Sequence, residues 1–412
     1  MLSFIFEINH KMDHQINIQF DPLKAIYPLI HDLILQHISP SELFSNLSKV
    51  SPYWNESVSQ SRFFKNQFKL VIYPHKNGYQ DLIEIIGRDY QHVEIKMCSK
   101  SISAHHRSYG IFCFKDFNDA DRTKWALNAV KILKSQRHSV KTLRIEYLSE
   151  KSDEIEFPML ESFVAVHVSA DIVKSIVKST KKLKYLNIKM VDHCQDNMSS
   201  SLVKCLEANQ NLKDLHLEGS DFINMFKSEL NVTFQLEAFN FPYACKKDDY
   251  NDIASNFKKF LFKQKATLQT LNFFFPGYEI EKFALESLPA LHSLTLCDVY
   301  LPEPVITNPS IKLLDIQVMH VDMQETLPYK ERYSITPQNQ ILAAVPNVER
   351  IWVTCLDKLF IESLVKKCPK LTQVDVEYVG REDDLDYDLI TRQNPEGNSE
   401  IDFVDLKVDR SC

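Results

Sequence analysis

A recurring three-point pattern constrains this chain more than any other feature. Apolar residues stand in the order apolar-x-x-apolar-x-apolar at Val140-Leu143-Ile145, Leu160-Phe163-Ala165, Leu183-Leu186-Ile188 and Leu212-Leu215-Leu217. The pattern continues at Leu236-Phe239-Phe241, Leu268-Leu271-Phe273, Leu291-Leu294-Leu296 and Ile311-Leu314-Ile316. It closes with Val348-Ile351-Val353, Leu371-Val374-Val376 and Ile401-Val404-Leu406. At 44% apolar content, about 35 such triplets arise by chance, so no single one is informative. The spacing carries the information. Steps between first positions run from 20 to 37 residues and average about 26.

Each triplet reads as a short strand with alternate side chains buried. Phe68, Leu70 and Ile72, and Val93-Glu94-Ile95, extend the strand pattern upstream. The spacers carry helical periodicity at Ile172, Val173, Ile176 and Val177, and at Leu202, Val203 and Leu206. Ile253, Phe257, Phe260 and Leu261, and Leu359, Phe360, Leu364 and Val365, behave alike. Strand and helix alternating at a fixed period predict an α/β solenoid, with a parallel concave sheet and helices outside. The mean step lies within the range of leucine-rich repeats. No unit stands alone. Three buried apolar side chains contribute roughly 5–9 kcal/mol, whereas ordering about 26 residues costs on the order of 30–50 kcal/mol. Neighbours must cover each unit on both sides.

Composition closes off other classes. The chain has 412 residues, more than one ordinary core supports, and a stacked array escapes that limit. A net charge of −7 lacks the basic footprint of a nucleic-acid binder. Seven glycines leave no phosphate-cradling loop of either standard kind. Nine cysteines without a Cys-x-x-Cys spacing read as reduced thiols of a cytoplasmic or nuclear protein. No apolar run reaches membrane-spanning length, and the start lacks signal-peptide features, so no membrane partner is expected. Residues 1–20 read as a tail.

Residues 21–65 differ from the rest. Leu29, Ile30, Leu33 and Ile34 fall at helical spacing. Ser39-Pro40-Ser41-Glu42 then supplies an N-cap, a first-turn proline and a reciprocal acid. Leu43, Phe44, Leu47 and Val50 form the next stripe, and Ser51-Pro52 opens a third helix bearing Tyr53, Trp54 and Val58. Three short helices, each apolar on more than one face, call for a partner.

This stretch, with its Ile34-Leu35 pair, Ser39-Pro40-Ser41-Glu42-Leu43 step and closing Val50-Ser51 and Trp54, resembles an F-box. Lys366-Lys367-Cys368-Pro369-Lys370-Leu371 resembles the repeat junction of F-box/leucine-rich-repeat proteins. The resemblance implies a three-helix F-box over 21–65 and a leucine-rich-repeat solenoid over 66–412, with an acidic segment at 381–400. It implies the substrate-recognition subunit of an SCF-type cullin–RING ubiquitin ligase. Such a subunit binds the SCF adaptor, meets cullin and RING subunits indirectly, and holds a protein substrate on its repeats. It is not an enzyme and takes no cofactor. The adaptor-binding candidates are Pro28, Leu29, Leu33, Ile34, Leu35, Ile38, Pro40, Leu43, Leu47, Val50 and Trp54. Here the opening reads Ile26-Tyr27-Pro28-Leu29-Ile30, with its proline displaced by one residue. That displacement motivates the alternative, a repeat scaffold for protein interactions whose F-box has drifted.

The strand positions between apolar residues point to the open concave face. Asn187, Lys189, Asp214, His216, Glu218, Asn240, Asn272, Trp352, Thr354, Asp375 and Glu377 are therefore the substrate-binding candidates, Trp352 foremost because aromatic anchors dominate interfaces. The long step before Val348 contains an insertion, and Arg381 to Asp388 is an acidic run read as a solvated loop. Ser175/Lys178, Ser179/Lys182 and Ser201/Lys204 match Ser-x-x-Lys on predicted helices without the accompanying motifs, so no catalytic residue is assigned. His105-His106 lacks the spacing of a zinc site, so no metal is assigned.

Overall fold

The computed structural model describes residues 69–72, 90–96, 119–148, 155–190, 198–241, 250–273, 278–297, 307–317, 341–355, 364, 366–378 and 402–405. The chain divides into two compact units, Met1–Lys69 and Leu70–Cys412. The tail, the F-box-like segment with its adaptor candidates Pro28 to Trp54, the insertion before residue 341 and the acidic segment 381–400 lie outside the described residues.

The described part is an α/β array. Its strands are β1 (Lys69–Ile72), β2 (His92–Ile95), β3 (Thr142–Glu146), β4 (Ser162–Val166), β5 (Tyr185–Lys189), β6 (Asp214–Glu218) and β7 (Ala238–Phe241). There follow β8 (Thr270–Phe273), β9 (Ser293–Cys297), β10 (Leu313–Gln317), β11 (Arg350–Cys355), β12 (Gln373–Tyr378) and β13 (Asp402–Asp405). The strands form one sheet in chain order. Every neighbouring pair from β2 to β13 is parallel. Parallel neighbours need a crossover between them. The crossovers include α1 (Asp119–Gln136), α2 (Ala170–Ser179), α3 (Met198–Ala208), a 3₁₀ helix (Ser220–Lys227), α4 (Tyr250–Lys263) and α5 (Tyr278–Ser287).

The triplet explains the register. Leu143, Phe163, Leu186, Leu215, Phe239, Leu271, Leu294, Leu314, Ile351 and Val374 occupy one continuous row across the sheet. This row, the first positions from Val140 to Leu371, and the third positions through Val353 are buried in a single core with the helices' inner faces. The sequence expectation fails at the last strand. Phe403, not Val404, stands level with Val374, and Val404 pairs with Asp375. Sheet pairing with β12 therefore sets a register one residue away from the apolar pattern. Helices α1 and α5 and the 3₁₀ helix were also not anticipated.

A cluster of phenylalanine rings packs behind β7 and β8. Phe226 of the 3₁₀ helix meets Phe241, Phe257 and Phe260 edge-on, at 5.7, 4.8 and 5.5 Å between centroids. Edge-to-face contacts of this kind stabilise beyond area burial alone. Gly219, which enters the 3₁₀ helix at φ 151°, depends on having no Cβ. An added one would stand 3.2 Å from Met190 Cβ and 3.3 Å from the Phe222 ring.

The turns from helix to strand carry a second ladder. Gln136 Oε1 accepts from the Tyr90 N–H (2.8 Å), and Gln264 Oε1 accepts from the Leu236 N–H (2.8 Å). Asn209 Oδ1 accepts from the Leu183 N–H (2.8 Å), while its Nδ2 donates to the Thr180 and Cys205 carbonyls (3.0 and 2.7 Å). Asn308 Nδ2 donates to the Leu288 carbonyl (3.1 Å). Each clip is buried and reaches back to the preceding repeat. Buried amides thus line the approach to these strands. Burial makes these bonds obligatory, because the backbone groups they satisfy see no water. Ser175 and Ser179 act similarly, accepting from the Ile155 and Phe157 N–H groups (2.6 and 3.1 Å).

Candidate functional site

The alternating burial of the strands leaves one sheet face carrying half-exposed residues. Backbone pairing places the central position of each strand in one row. It runs Glu94, Arg144, Val164, Asn187, His216, Asn240, Asn272, Thr295, Asp315, Trp352 and Asp375. Six sequence candidates, Asn187, His216, Asn240, Asn272, Trp352 and Asp375, thus come together in a single line. Asp214 stands level with Tyr185 and Ala238, and Lys189 with Glu218, in the rows on either side. Thr354 lies in β11 and Glu377 in β12, two residues beyond Trp352 and Asp375 respectively.

The row changes character along its length. At the β2–β3 end Glu94 is buried, although strand alternation alone would expose it. Lys96 (3.1 Å) and Arg144 (3.4 Å) approach its Oε1, and Arg144 also meets Glu146 at 2.7 Å. Lys189 and Glu218 pair at 2.6 Å. In the middle, Tyr185 and His216 stack at 5.4 Å and a 37° tilt, and Asn187 Nδ2 donates to Tyr185 Oη at 3.2 Å. Burial lowers the pKa of His216 against the opposing pull of Asp214, so its imidazole is neutral at pH 7. Burial raises the carboxyl of Asp214, with His216 opposing. β7, β8 and β9 then contribute Asn240, Asn272 and Thr295, none of them charged.

Asp375 departs most from its expected place on a solvated face. It is 1% exposed. Arg350 Nε donates to its Oδ2 at 2.5 Å, and Gln373 Nε2 donates to Oδ1 at 2.7 Å. Thr295 Oγ1 donates to Asp315 Oδ2 at 3.3 Å. Trp352 stands level with Asp315 on one side and Asp375 on the other, partly exposed. Sequence reasoning missed Asp315 and Arg350, although both lie in triplet-bearing strands, at positions the alternation leaves on the open face.

At the end of β3 and β4 the backbone turns left-handed at two non-glycine residues, Tyr147 (φ 57°) and His167 (φ 54°). Their rings stack at 4.9 Å, on the strand-exit side of consecutive repeats. Among the described residues, no group of three or more His, Cys, Asp or Glu side chains is arranged to hold a metal ion. No described helix is long and apolar enough to cross a membrane. The fold and this face define a class, a stacked strand–helix repeat protein with an open polar sheet face. Comparison with protein-family models finds no match for the chain, and comparison with curated proteins finds none either.

Proposed function

We propose that this protein is the substrate-recognition subunit of an SCF-type cullin–RING ubiquitin ligase, an F-box followed by a leucine-rich-repeat solenoid. The F-box half of the reading rests on the sequence of residues 21–65. The carrying observation for the receptor half is the unbroken in-register row from Asn187 to Asp375 on an open sheet face. A rigid sheet presenting polar and aromatic side chains at fixed spacing suits protein recognition, because little conformational freedom is lost on binding. The protein performs no chemistry in this role. Holding substrate beside a charged conjugating enzyme makes ubiquitin transfer effectively intramolecular, which raises its rate through local concentration. The cytoplasm or nucleus is the corresponding compartment.

Purified protein should bind the adaptor, and Leu33→Asp with Leu43→Asp should abolish that binding while the circular dichroism of the repeats is kept. Unchanged binding by the double variant, or none by the wild type, removes the F-box reading. The displaced Pro28 favours a second reading in the latter event, a scaffold that binds partners through its repeats without the ligase.

A further inference from the structure

On the open face two acceptors are unmet. Asn240 Oδ1 and Asn272 Oδ1 are both buried, and neither has a hydrogen-bond partner among the described residues. The two asparagines stand level with each other on β7 and β8, in the central row of the face. A buried amide oxygen without a donor costs stability, and such groups are rare in folded proteins. Their neighbours in the row are neutral. On one side His216, its imidazole uncharged, stacks on Tyr185. On the other, Thr295 Oγ1 is committed to Asp315 Oδ2 at 3.3 Å. β7, β8 and β9 carry no charged residue. The strands that hold the pair are pinned from behind. Phe239 and Phe241 of β7 and Phe273 of β8 are buried, and their rings meet that of Phe257 in α4 at 5.9, 6.0 and 6.2 Å between centroids.

We propose that Asn240 and Asn272 receive main-chain N–H groups from an extended, uncharged segment of the bound protein as it crosses β7 and β8. The inference rests on the reading of this face as the substrate-binding surface and adds the chemistry its central part selects. The occupant must bring donors, because an apolar side chain laid over the pair would leave both oxygens orphaned. It must be uncharged there, because β7 to β9 hold no counter-charge for a carboxylate or cation stripped of water. A peptide backbone meets both conditions, since every residue except proline offers an N–H whatever its side chain. Neighbouring strands lie about 4.8 Å apart, so one extended segment reaches both amides. The Phe257 packing holds both strands in place, so little freedom is lost when the bonds form.

The test uses the full chain. Random linear peptides displayed on phage are selected on it and counter-selected on the Asn240→Arg/Asn272→Arg variant, so that survivors bind the open face. A synthetic survivor is then methylated at one backbone nitrogen at a time, and its affinity is read by fluorescence anisotropy. Methylation should weaken binding roughly tenfold at each of two positions, where exchange of the side chain for alanine is tolerated. Asn240→Ala with Asn272→Ala should weaken the unmodified peptide by a similar factor and abolish the effect of methylation at those two positions. The same alanine pair should leave Tm unchanged or raised, because no internal bond is lost. The proposal is overturned if the alanine pair binds the peptide as well as the wild type does, or if methylation effects are the same with and without the two asparagines; the open face then remains the binding surface. A Tm lowered by the alanine pair would show that the oxygens already serve the fold, and would equally overturn it. Should counter-selection leave no peptide, the open-face reading itself falls and takes the proposal with it.

Discussion

Glu281 offers a quantitative test of the packing behind the sheet. It lies in the first turn of α5 with 3% of its surface exposed, and its Oε2 finds no hydrogen-bond partner among the described residues. Burial pushes its carboxyl up from 4.5 to about 8, against weaker stabilisation of the charged form by its own backbone N–H and by Lys258. The folded pKa therefore exceeds the unfolded one. The folded state favours the protonated acid, so this group costs nothing below pH 4.5 and becomes increasingly destabilising as pH rises towards 8. Linkage puts the cost at about 3 kcal/mol at pH 7, and below about 1 kcal/mol at pH 5. Glu281→Gln removes the ionisation and keeps the shape. It should stabilise α4 and α5 by about that amount at pH 7, with little gain at pH 5. Repeat arrays need not unfold in one step, so hydrogen exchange read peptide by peptide over residues 250–287 is the appropriate assay. A gain that fails to grow between pH 5 and pH 8, or a loss of protection at neutral pH, would refute the buried-acid argument.

Three further perturbations test the remaining structure. Asn209→Ala strips the Leu183 N–H and two carbonyls of their partner, and should cost about 3 kcal/mol in denaturant unfolding, well above an exposed Asn→Ala control. Phe226→Ala opens the ring cluster behind β7 and should cost about 3–5 kcal/mol, visible as a lowered Tm. Burial raises the Cys205 thiol to about 11 and the Cys368 thiol to about 12. Both should therefore resist alkylation at pH 8 in the native protein and react once it is denatured, with labelling followed by mass spectrometry.

The fold was legible where burial and period coincide. Leu183, Leu186 and Ile188 announce a strand because all three face one core at the spacing of a turn and a strand, and ten such triplets fix the order of the sheet. The last strand escaped because Ile401-Val404-Leu406 fits the template by composition while pairing with β12 sets another register. Helix α1 escaped because Trp125, Ala126, Ala129, Val130, Ile132 and Leu133 are all buried, a broad apolar surface rather than a narrow stripe. Buried acids are invisible to periodicity. Asp375 is buried against Arg350, 25 residues away in sequence, and Glu94 against Lys96 and Arg144, two and 50 residues away. The amide clips carried a usable signal, an Asn or Gln three or four residues before a first apolar position, as in Asn209-Gln210-Asn211-Leu212 and Gln264 before Leu268. On the open face, alternation aligned the central strand positions in one row, but it did not show that Glu94 and Asp375 are buried there.

Affinity capture of the full chain from proteasome-inhibited cells, read by quantitative mass spectrometry beside the Leu33→Asp/Leu43→Asp and Asn240→Arg/Asn272→Arg variants, tests the central claim most directly. The account predicts adaptor, cullin and RING subunits with the wild type, their loss with the first variant, and loss of a separate, inhibitor-enriched set with the second. A wild-type capture without adaptor, or a cargo set indifferent to the open-face arginines, would contradict it.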